Sequence, residues 1–380
     1  MKKTWLTSYP KDIPYEIDEA TLLPLNTLIE KAYDKFSKLP AFTCMGRTLL
    51  FSEIHQLSNH LGAFFKDNLG LKKGEEIALM MPNTLQYPVT LHAALRSGLV
   101  VVNVNPLYTA RELEHQLKDS GATTIIILEN FAHILSQVIN KTKIKHVILT
   151  SIGDLLGLPK GMLVNFVVRH VKKMVPSYHL DNSMSFKESL KKGSKKQFTP
   201  TSMDINDTAF LQYTGGTTGV SKGAVLTHKN ISANITQASL WLTHHIKEGC
   251  ETIITPLPLY HIFSLTANCF IYMNLGGHNI LVTNPKDIPT FIKTLKKYKF
   301  TAITGVNTLF NALLTHPEFK SVDFSHLKIT LGGGTAVQKS VADKWQEVTS
   351  VPLVEAYGLT ETSPAVCVNP LDIDSFNGTI

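Results

Sequence analysis

The sequence predicts an α/β fold made of two α/β lobes. Short apolar runs alternate with stretches of helical periodicity along most of the 380 residues. Such alternation is typical of parallel α/β architecture. A chain of this length buries a large core, and its composition, 43% apolar and 18% charged, is ordinary for a globular protein. These observations argue against a disordered chain.

The first lobe opens with a βαβ unit. Ile77–Met81 is a short apolar run that ends at Pro82, as a strand does. Thr84–Arg96 has helical spacing, and Gly98 stands where a helix stop is expected. Val100–Val104 is a second, β-branched run. The pattern therefore predicts two parallel strands joined by a helix.

The rest of the first lobe repeats this alternation. Thr109 and Glu112 have the spacing of a capping box, which predicts a helix that ends near Gly121. The next predicted elements are a strand, a helix and a strand at Thr123–Leu128, Asn130–Asn140 and His146–Thr150. All of them fit one parallel sheet with covering helices.

The second lobe resumes the pattern after a basic, less regular region. Its predicted elements are strands at Thr208–Tyr213, Thr301–Gly305 and Lys328–Leu331 and helices at His228–Trp241 and Ile288–Tyr298. The Lys/Ser/Gly-rich stretch Lys191–Lys196 is the predicted boundary, which gives lobes of residues 1–195 and 196–380.

The sequence also indicates in which cellular compartment the protein is expected. The four cysteines form no CxxC pair, which suits a reduced, cytoplasmic protein. The N-terminus lacks the apolar core of a signal peptide. Residues 252–285 carry no charge, but prolines, a histidine, asparagines and a glycine pair interrupt them. We expect buried core and part of an apolar binding wall there, not a membrane span.

One segment has the composition of a phosphate-binding loop. It follows a predicted strand, precedes a predicted helix, and combines four glycines, which let the backbone turn tightly, with hydroxyl donors and one lysine. Its residues are Tyr213, Thr214, Gly215, Gly216, Thr217, Thr218, Gly219, Val220, Ser221, Lys222 and Gly223. A polar surface turn is the alternative. It is not a Walker A loop, because Ser221 precedes and Gly223 follows the lysine.

Two further stretches carry candidate ligand groups. Tyr357, Gly358, Thr360 and Glu361 place a ring, a glycine, a hydroxyl and a carboxylate within five positions. The ring suits a base, the hydroxyl a phosphate and the carboxylate Mg²⁺. The second stretch is Gly332, Gly333 and Gly334, where a flat ring can approach the backbone closely. An ordinary strand-to-loop junction and a plain turn are the alternatives.

Together these motifs resemble the adenylate-forming superfamily of acyl-CoA synthetases, luciferases and peptide-synthetase adenylation domains. The resemblance covers almost the whole chain and is greatest to bacterial long-chain fatty acyl-CoA synthetases. The stretches that carry it outside the motifs are Leu79–Asn83, Val104–Thr109, Arg111–Leu117, Pro258–Phe263 and Thr301–Thr308.

The resemblance implies a role for each motif. Tyr213–Gly223 would hold the β- and γ-phosphates of ATP, and Gly332–Gly334 with Tyr357 and Gly358 would line the adenine pocket. Thr360 would contact the α-phosphate, and Glu361 would bind Mg²⁺. His261, otherwise read as a core histidine, would lie near the fatty acid carboxylate.

The implied reaction activates a long-chain fatty acid with ATP and passes the acyl group to coenzyme A. The family pattern also continues past Ile380, with a ribose-binding aspartate, a hinge and a small C-terminal lid domain that carries a lysine. We therefore expect the 380 residues alone to bind ATP weakly and to make little acyl-CoA. A non-catalytic binding fragment and an enzyme for an aryl or amino acid are the alternatives. A homodimer is plausible by resemblance.

Positive charge is concentrated in residues 141–200, which hold 12 Lys/Arg against 3 Asp/Glu. Within them, residues 158–178 mix apolar side chains with Arg169, His170, Lys172 and Lys173. Such a basic amphipathic segment predicts peripheral contact with the inner face of the membrane, and a helix packed on the lobe is the alternative. The sequence has no basic patch interleaved with aromatic residues, so nothing in it indicates nucleic-acid binding.

Overall fold

A computed structural model describes residues 3–214 and 220–380 of the chain. Within these ranges the fold is α/β, with two mainly parallel sheets and helices on both faces of each, as the sequence predicts. Five layers result, in the order helix, sheet, helix, sheet, helix.

The strands are short and run through both halves of the chain. In chain order they are β1 (Pro40–Cys44), β2 (Arg47–Leu50), β3 (Glu76–Met80), β4 (Val100–Asn103), β5 (Thr124–Leu128), β6 (His146–Thr150), β7 (Ser183–Ser185), β8 (Thr208–Thr214), β9 (Lys222–Thr227), β10 (Thr252–Thr255), β11 (His278–Leu281), β12 (Ala302–Gly305), β13 (Ile329–Gly332), β14 (Leu353–Gly358) and β15 (Ala365–Val368).

Helices connect and cover the strands. They are α1 (Leu25–Phe36), α2 (Phe51–Ala63), α3 (Gln86–Arg96), α4 (Ala110–Ser120), α5 (Ala132–Ser136), α6 (Lys160–Phe166), α7 (Phe186–Gly193), α8 (His228–Leu242), α9 (Ile262–Ser264), α10 (Ile271–Asn274), α11 (Ile288–Lys297), α12 (Asn307–Thr315) and α13 (Lys339–Thr349). A helical stretch at Leu265–Phe270 joins α9 to α10, and one at Val167–Val171 extends α6.

The first sheet has the strand order β7-β6-β5-β3-β4-β8-β9, and the second has the order β15-β14-β13-β12-β10-β11-β1-β2. Neighbouring strands are parallel except for the three edge pairs β8–β9, β1–β2 and β14–β15. Parallel strands end at a common edge, so the loops after β8, β12, β13 and β14 are well placed to form a site between the sheets.

The predicted boundary at residue 195 does not divide the two sheets, and we correct it here. β1 and β2, near the N-terminus, belong to the second sheet, where Phe42 pairs with Asn279. β8 and β9, beyond residue 195, belong to the first sheet, where Asn103 pairs with Gln212. The sheet to which a strand belongs depends on its pairing with distant strands, and the local composition does not indicate that pairing.

Three apolar cores hold the layers together. The largest lies between the sheets and includes Ile29 of α1, Ile54 of α2 and Leu91 of α3. A second packs α11–α13 on the outer face of the second sheet, around Trp345. The third packs α4 and α5 on the outer face of the first sheet, around Leu117. The site is therefore built on rigid, doubly covered sheets.

Several local predictions are confirmed. The side chain of Thr109 accepts a hydrogen bond from Glu112 N at 3.4 Å, and Glu112 Oε2 accepts one from Thr109 N at 2.7 Å, so the capping box forms. Gly98, at φ +77°, ends α3 as predicted. The helix predicted at Asn130–Asn140 is shorter, since α5 covers only Ala132–Ser136.

Candidate active site between the two sheets

A cavity of about 980 Å³ lies between the sheets at the carboxyl ends of their central strands. Its polar end is lined by residues from three separate predicted motifs, namely Tyr213, Thr214, Gly333, Gly334, Tyr357, Gly358, Thr360 and Glu361, together with His261. Segments more than 140 residues apart in sequence thus meet in one space, and this volume suits a single extended ligand or two adjoining ones.

The glycine- and threonine-rich segment is bounded by the antiparallel strands β8 and β9, a pair that we call the hairpin, so it ends in a strand and not in the predicted helix. Residues 215–219, with Gly215, Gly216, Thr217, Thr218 and Gly219, lie outside the described residues. β8 and β9 flank them as an antiparallel pair in which Thr214 opposes Lys222. The prediction missed β9, so the residue after the loop starts a strand, and α8 begins only at His228.

The base of this hairpin is closely packed. Ser221 Oγ donates a hydrogen bond of 2.7 Å to Thr214 O. A Cβ atom on Gly223 would lie 3.0 Å from the ring of Tyr213, so only glycine fits opposite that ring without displacement. Val220 is 64% exposed. Val220, Ser221, Lys222 and Gly223 lie outside the cavity wall, at the base of the hairpin.

Helix α4 supports the hairpin from behind. The Tyr213 hydroxyl donates a 2.6 Å hydrogen bond to Asp119 Oδ2, and His115 Nε2 donates one of 2.8 Å to Ser221 O. Burial, and then the Asp119 carboxylate, raises the pKa of Tyr213, so the hydroxyl keeps its proton at neutral pH. Tyr213 and Ser221 are thus both hydrogen-bonded to α4.

The second motif lies across the cavity at the end of β14. Tyr357 and Gly358 are its last residues, and Thr360 begins the short turn Thr360–Thr362. Asn234 of α8 fastens the chain beyond that turn: its Nδ2 donates to Ala365 O at 3.0 Å, and Ala365 N donates to its Oδ1 at 3.1 Å. The turn therefore has a fixed attachment to the central helix layer.

Glu361 is the acidic side chain of this wall. It is exposed, and it reaches the same cavity as Thr214 and Thr360. In the part of the chain that the structure describes, no lysine or arginine lies within ion-pairing distance of it. No group of three or more metal-binding side chains occurs among residues 3–214 and 220–380 either. One free carboxylate fits Mg²⁺, which takes one or two carboxylates plus phosphate oxygens.

The three consecutive glycines do not act alike. Gly333 and Gly334 line the cavity. Gly332 faces the core on the other side of the sheet, where a Cβ atom would lie 2.6 Å from Leu353 Cδ2 and 2.8 Å from Val337 Cγ2. Because successive residues of a strand point to opposite faces, the prediction that all three line a pocket needs this correction for Gly332.

His261 lies at the junction of the polar and apolar parts of the cavity. It precedes α9, and its Nδ1 accepts a hydrogen bond of 3.3 Å from Phe263 N. His261 is exposed where it faces the cavity, and the protein packed around the rest of the ring lowers its pKa by desolvation. The imidazole is therefore neutral at pH 7, with Nε2 carrying the hydrogen, and it can donate a hydrogen bond to an anion.

The polar residues of the wall that sequence reasoning missed include Asn103, Gln212 and Asn234. Asn103 ends an apolar strand, and Gln212 directly precedes Tyr213. A polar residue at the carboxyl end of a buried parallel strand is the signal that could have revealed the first two. Asn234 lies within a helical pattern, where nothing local distinguishes it.

The opposite end of the cavity is apolar. It is lined by Ala238, Leu242, Ile253, Ile271, Ala302 and Ile329. Ile253 and Ile271 come from the uncharged stretch that was predicted to form core and an apolar binding wall. About 13 Å of strand separates Ile329 from Gly333, so the apolar part extends well into the protein.

Comparisons with known proteins can now be set beside this geometry. The family described as AMP-binding enzyme matches residues 29–380. A long-chain-fatty-acid–CoA ligase of Escherichia coli O157:H7 is 52% identical over 380 residues, which are 100% of this chain and 68% of the relative. The enzyme of the same name from Yersinia pestis is 51% identical with the same coverage. The chain thus spans about two thirds of these relatives.

A solved structure agrees with the fold. The crystal structure of a long-chain-fatty-acid–CoA ligase from Archaeoglobus fulgidus superposes with a TM-score of 0.78 at 24% identity. The superposition covers 96% of this chain and 70% of that chain. This structural likeness shows the fold, whereas the sequence identity to the bacterial relatives shows the family.

Proposed function

This chain belongs to the AMP-binding enzyme family, and from that premise we propose that it activates long-chain fatty acids with ATP for transfer to coenzyme A. The observation that carries the proposal is the single cavity with one polar and one apolar end. A nucleotide needs hydroxyl and backbone donors, and an acyl chain needs an apolar wall. Both are present in one continuous space.

The polar end supports a nucleotide site. Thr214 and the hydroxyl and glycine residues that follow it in the sequence would supply donors for the phosphates. Thr360 would supply a hydroxyl for the α-phosphate, and Gly333 and Gly334 leave room for the base beside Tyr357. Glu361 would hold Mg²⁺, which supplies charge neutralisation on the phosphate oxygens when bound. Lys222, at the base of the hairpin, adds positive charge near the phosphates.

The reaction requires positioning more than a protein nucleophile. A carboxylate oxygen of the fatty acid attacks the α-phosphorus, the bond to the bridging oxygen breaks, and pyrophosphate leaves. The thiolate of coenzyme A then attacks the acyl carbonyl, and AMP leaves. His261, neutral and donating from Nε2, would orient the carboxylate between the two ends of the cavity.

ATP–pyrophosphate exchange with palmitate tests this proposal. We expect exchange that depends on palmitate and Mg²⁺, and little exchange with benzoate or an amino acid. Thermal stabilisation by ATP and palmitate without any exchange would favour a non-catalytic binding protein. Exchange with benzoate but not palmitate would keep the chemistry and overturn the fatty acid.

A membrane-surface role is the second part of the proposal. Helix α6, its extension and the residue before Pro159 expose an unusual number of apolar side chains, namely Leu158 (78%), Met162 (64%), Leu163 (64%), Phe166 (57%) and Val171 (65%). Only the opposite side, with Gly161 and Val168, is buried. Lys172 and Lys173 flank this surface. Its apolar side chains can therefore insert into a membrane while the two lysines attract anionic lipids.

The membrane contact can be tested with vesicles of phosphatidylglycerol and phosphatidylethanolamine. We expect the chain to sediment with them, and the pair Lys172→Glu and Lys173→Glu to reduce binding severalfold. The pair Lys191→Glu and Lys192→Glu, exposed on α7, is the matched control for net charge. Equal sedimentation of both pairs and the unaltered chain would remove this part of the proposal.

No helix among the residues described is both long and apolar enough to cross a bilayer. The homodimer suggested by resemblance stays a prediction, and light scattering of the purified chain would test it.

A further inference from the structure

The loop of residues 256–260, between β10 and His261, has neither helical nor strand structure. It contains Pro256 and Pro258, which have no backbone N–H, so it cannot form a regular pattern of its own. Several of its backbone groups are instead hydrogen-bonded by buried side chains that belong to the first sheet and its connections. Buried backbone groups require such partners.

Asn83 makes two of these bonds, and a third to the last residue of β10. It follows β3 and is 2% exposed. Its Nδ2 donates to Thr255 O at 3.0 Å and to Leu257 O at 2.9 Å, and its Oδ1 accepts from Leu259 N at 2.8 Å. One amide thus fixes the path of the chain from the end of β10 to Leu259. This clamp sets the start and middle of the loop.

Gln212 fixes the end of the loop that leads into His261. It is 4% exposed, and its Nε2 donates a 2.7 Å hydrogen bond to Tyr260 O. Its Oε1 accepts a 3.0 Å bond from Asn103 Nδ2, which holds the amide in one orientation. The residue before His261 therefore has its carbonyl tied directly to strand β8.

Gln212 is also the residue before Tyr213, where β8 leads into the hairpin loop. One side chain thus connects the strand that supports the phosphate-binding hairpin to the segment that carries His261. Because the backbone of a strand is rigid, a hydrogen bond from a side chain of β8 holds its partner at a fixed position relative to that strand.

We propose that Gln212 is a positioning residue. It fixes the position of His261, and so of the carboxylate end of the acyl site, relative to the nucleotide site. This inference deepens the proposed function and rests on it. Gln212 acts here through the Tyr260 carbonyl and is not assigned contact with the reacting atoms.

The first test compares Gln212→Leu with Gln116→Leu. Gln116 is an equally buried glutamine, 1% exposed, whose Nε2 donates to Asn103 O at 2.8 Å and which does not touch the loop. We expect both variants to lose similar thermal stability. Only Gln212→Leu should weaken palmitate binding, by about tenfold, with ATP binding changed less than about threefold.

Hydrogen exchange gives a readout that does not depend on any ligand. The amides of Leu259 and His261 are hydrogen-bonded, to Asn83 Oδ1 and Pro258 O. In Gln212→Leu we expect faster exchange in the peptide that covers residues 256–265 than in Gln116→Leu. Equal exchange in the two variants would overturn the inference even if neither ligand bound.

Gln212→Glu adds a pH profile that a purely structural role would not produce. A protonated carboxyl can donate to Tyr260 O, whereas a carboxylate would face that carbonyl and repel it. Burial at this position should raise the pKa of the introduced carboxyl, so the palmitate affinity of this variant should be closer to that of the unaltered chain at about pH 6 than at about pH 8. A profile parallel to that of the unaltered chain would contradict the inference.

These outcomes separate the inference from the proposed function. If the unaltered chain binds neither palmitate nor ATP, the proposed function fails. If it binds both, and Gln212→Leu binds palmitate as Gln116→Leu does, only the role of Gln212 fails.

Discussion

The hydroxyl of Tyr213 donates a 2.6 Å hydrogen bond to the Oδ2 atom of Asp119, joining the end of β8 to helix α4. This bond spans 94 residues of sequence and ties the start of the glycine- and threonine-rich turn to a helix of the outer layer. With His115 bonded to Ser221 O, it gives the turn two supports that do not belong to the hairpin itself.

Tyr213→Phe should therefore loosen the turn. We expect a loss of about 1–2 kcal/mol in the free energy of unfolding and a severalfold weaker affinity for ATP. Asp119→Asn measures the same bond from the other side, and a double-mutant cycle in urea isolates their coupling. Strictly additive effects of the two substitutions would show that the bond does not stabilise the chain.

Glu361→Ala tests the metal-binding carboxylate. We expect Mg²⁺-dependent ATP binding to be abolished, and the weak binding measured with EDTA to stay unchanged, because only the metal bridge is lost. Calorimetric titration with and without Mg²⁺ measures both. Glu347→Ala, an exposed glutamate on α13, is the matched control. If Glu361→Ala binds Mg²⁺ and ATP like this control, Glu361 has another role.

Ala302→Leu tests the apolar end of the cavity. Ala302 is 2% exposed and begins β12, deep in that wall. The larger side chain should occupy part of the space for a long acyl chain. We expect palmitate affinity to fall about tenfold or more, while octanoate serves as the internal control and binds as before. A parallel loss for both acids would indicate general disruption and not a shorter tunnel.

Two buried histidines make the fold sensitive to acid. Burial lowers the pKa of His92 to about 3 and that of His228 to about 4. In the unfolded chain both titrate near 6.5, so below that pH the unfolded state gains protons that the folded state does not. Stability is therefore full above about pH 7 and falls with the pH, by about 1.4 kcal/mol per histidine at pH 5.5.

His228→Asn tests this dependence. Urea denaturation at pH 7.5 and pH 5.5 should give a smaller difference in unfolding free energy than the unaltered chain, by about 1.4 kcal/mol. His326→Asn, at an exposed position, is the control for the loss of a histidine. The same difference in the unaltered chain and in His228→Asn would contradict a buried, neutral His228.

Local signals in the sequence predicted local structure well. The spacing of Thr109 and Glu112 predicted a cap that forms as expected, and Gly98 marked the end of α3. Each depends only on neighbouring residues. The motif at residues 357–361 likewise sits at a strand end, because its glycine and polar residues follow an apolar run.

Long-range features could not be predicted in the same way. Nothing around Phe42 indicates that β1 pairs with β11, more than 230 residues away. Asn83 and Gln212 each hold the loop of residues 256–260 through side-chain hydrogen bonds, and their partners lie far along the chain. β9 was missed because its short run looked like the end of a loop. The motifs whose residues meet in the cavity were thus visible in the sequence, and the side chains that support them were not.

The central claim is that the turn between Thr214 and Lys222 and the carboxylate of Glu361 enclose the phosphates of ATP. A crystal structure of the chain soaked with ATP and Mg²⁺ tests it most directly. We expect the triphosphate to lie against that turn, with Mg²⁺ at about 2.1 Å from a Glu361 oxygen. A nucleotide bound elsewhere, or a turn that faces away from Glu361 and holds no phosphate, would contradict the account.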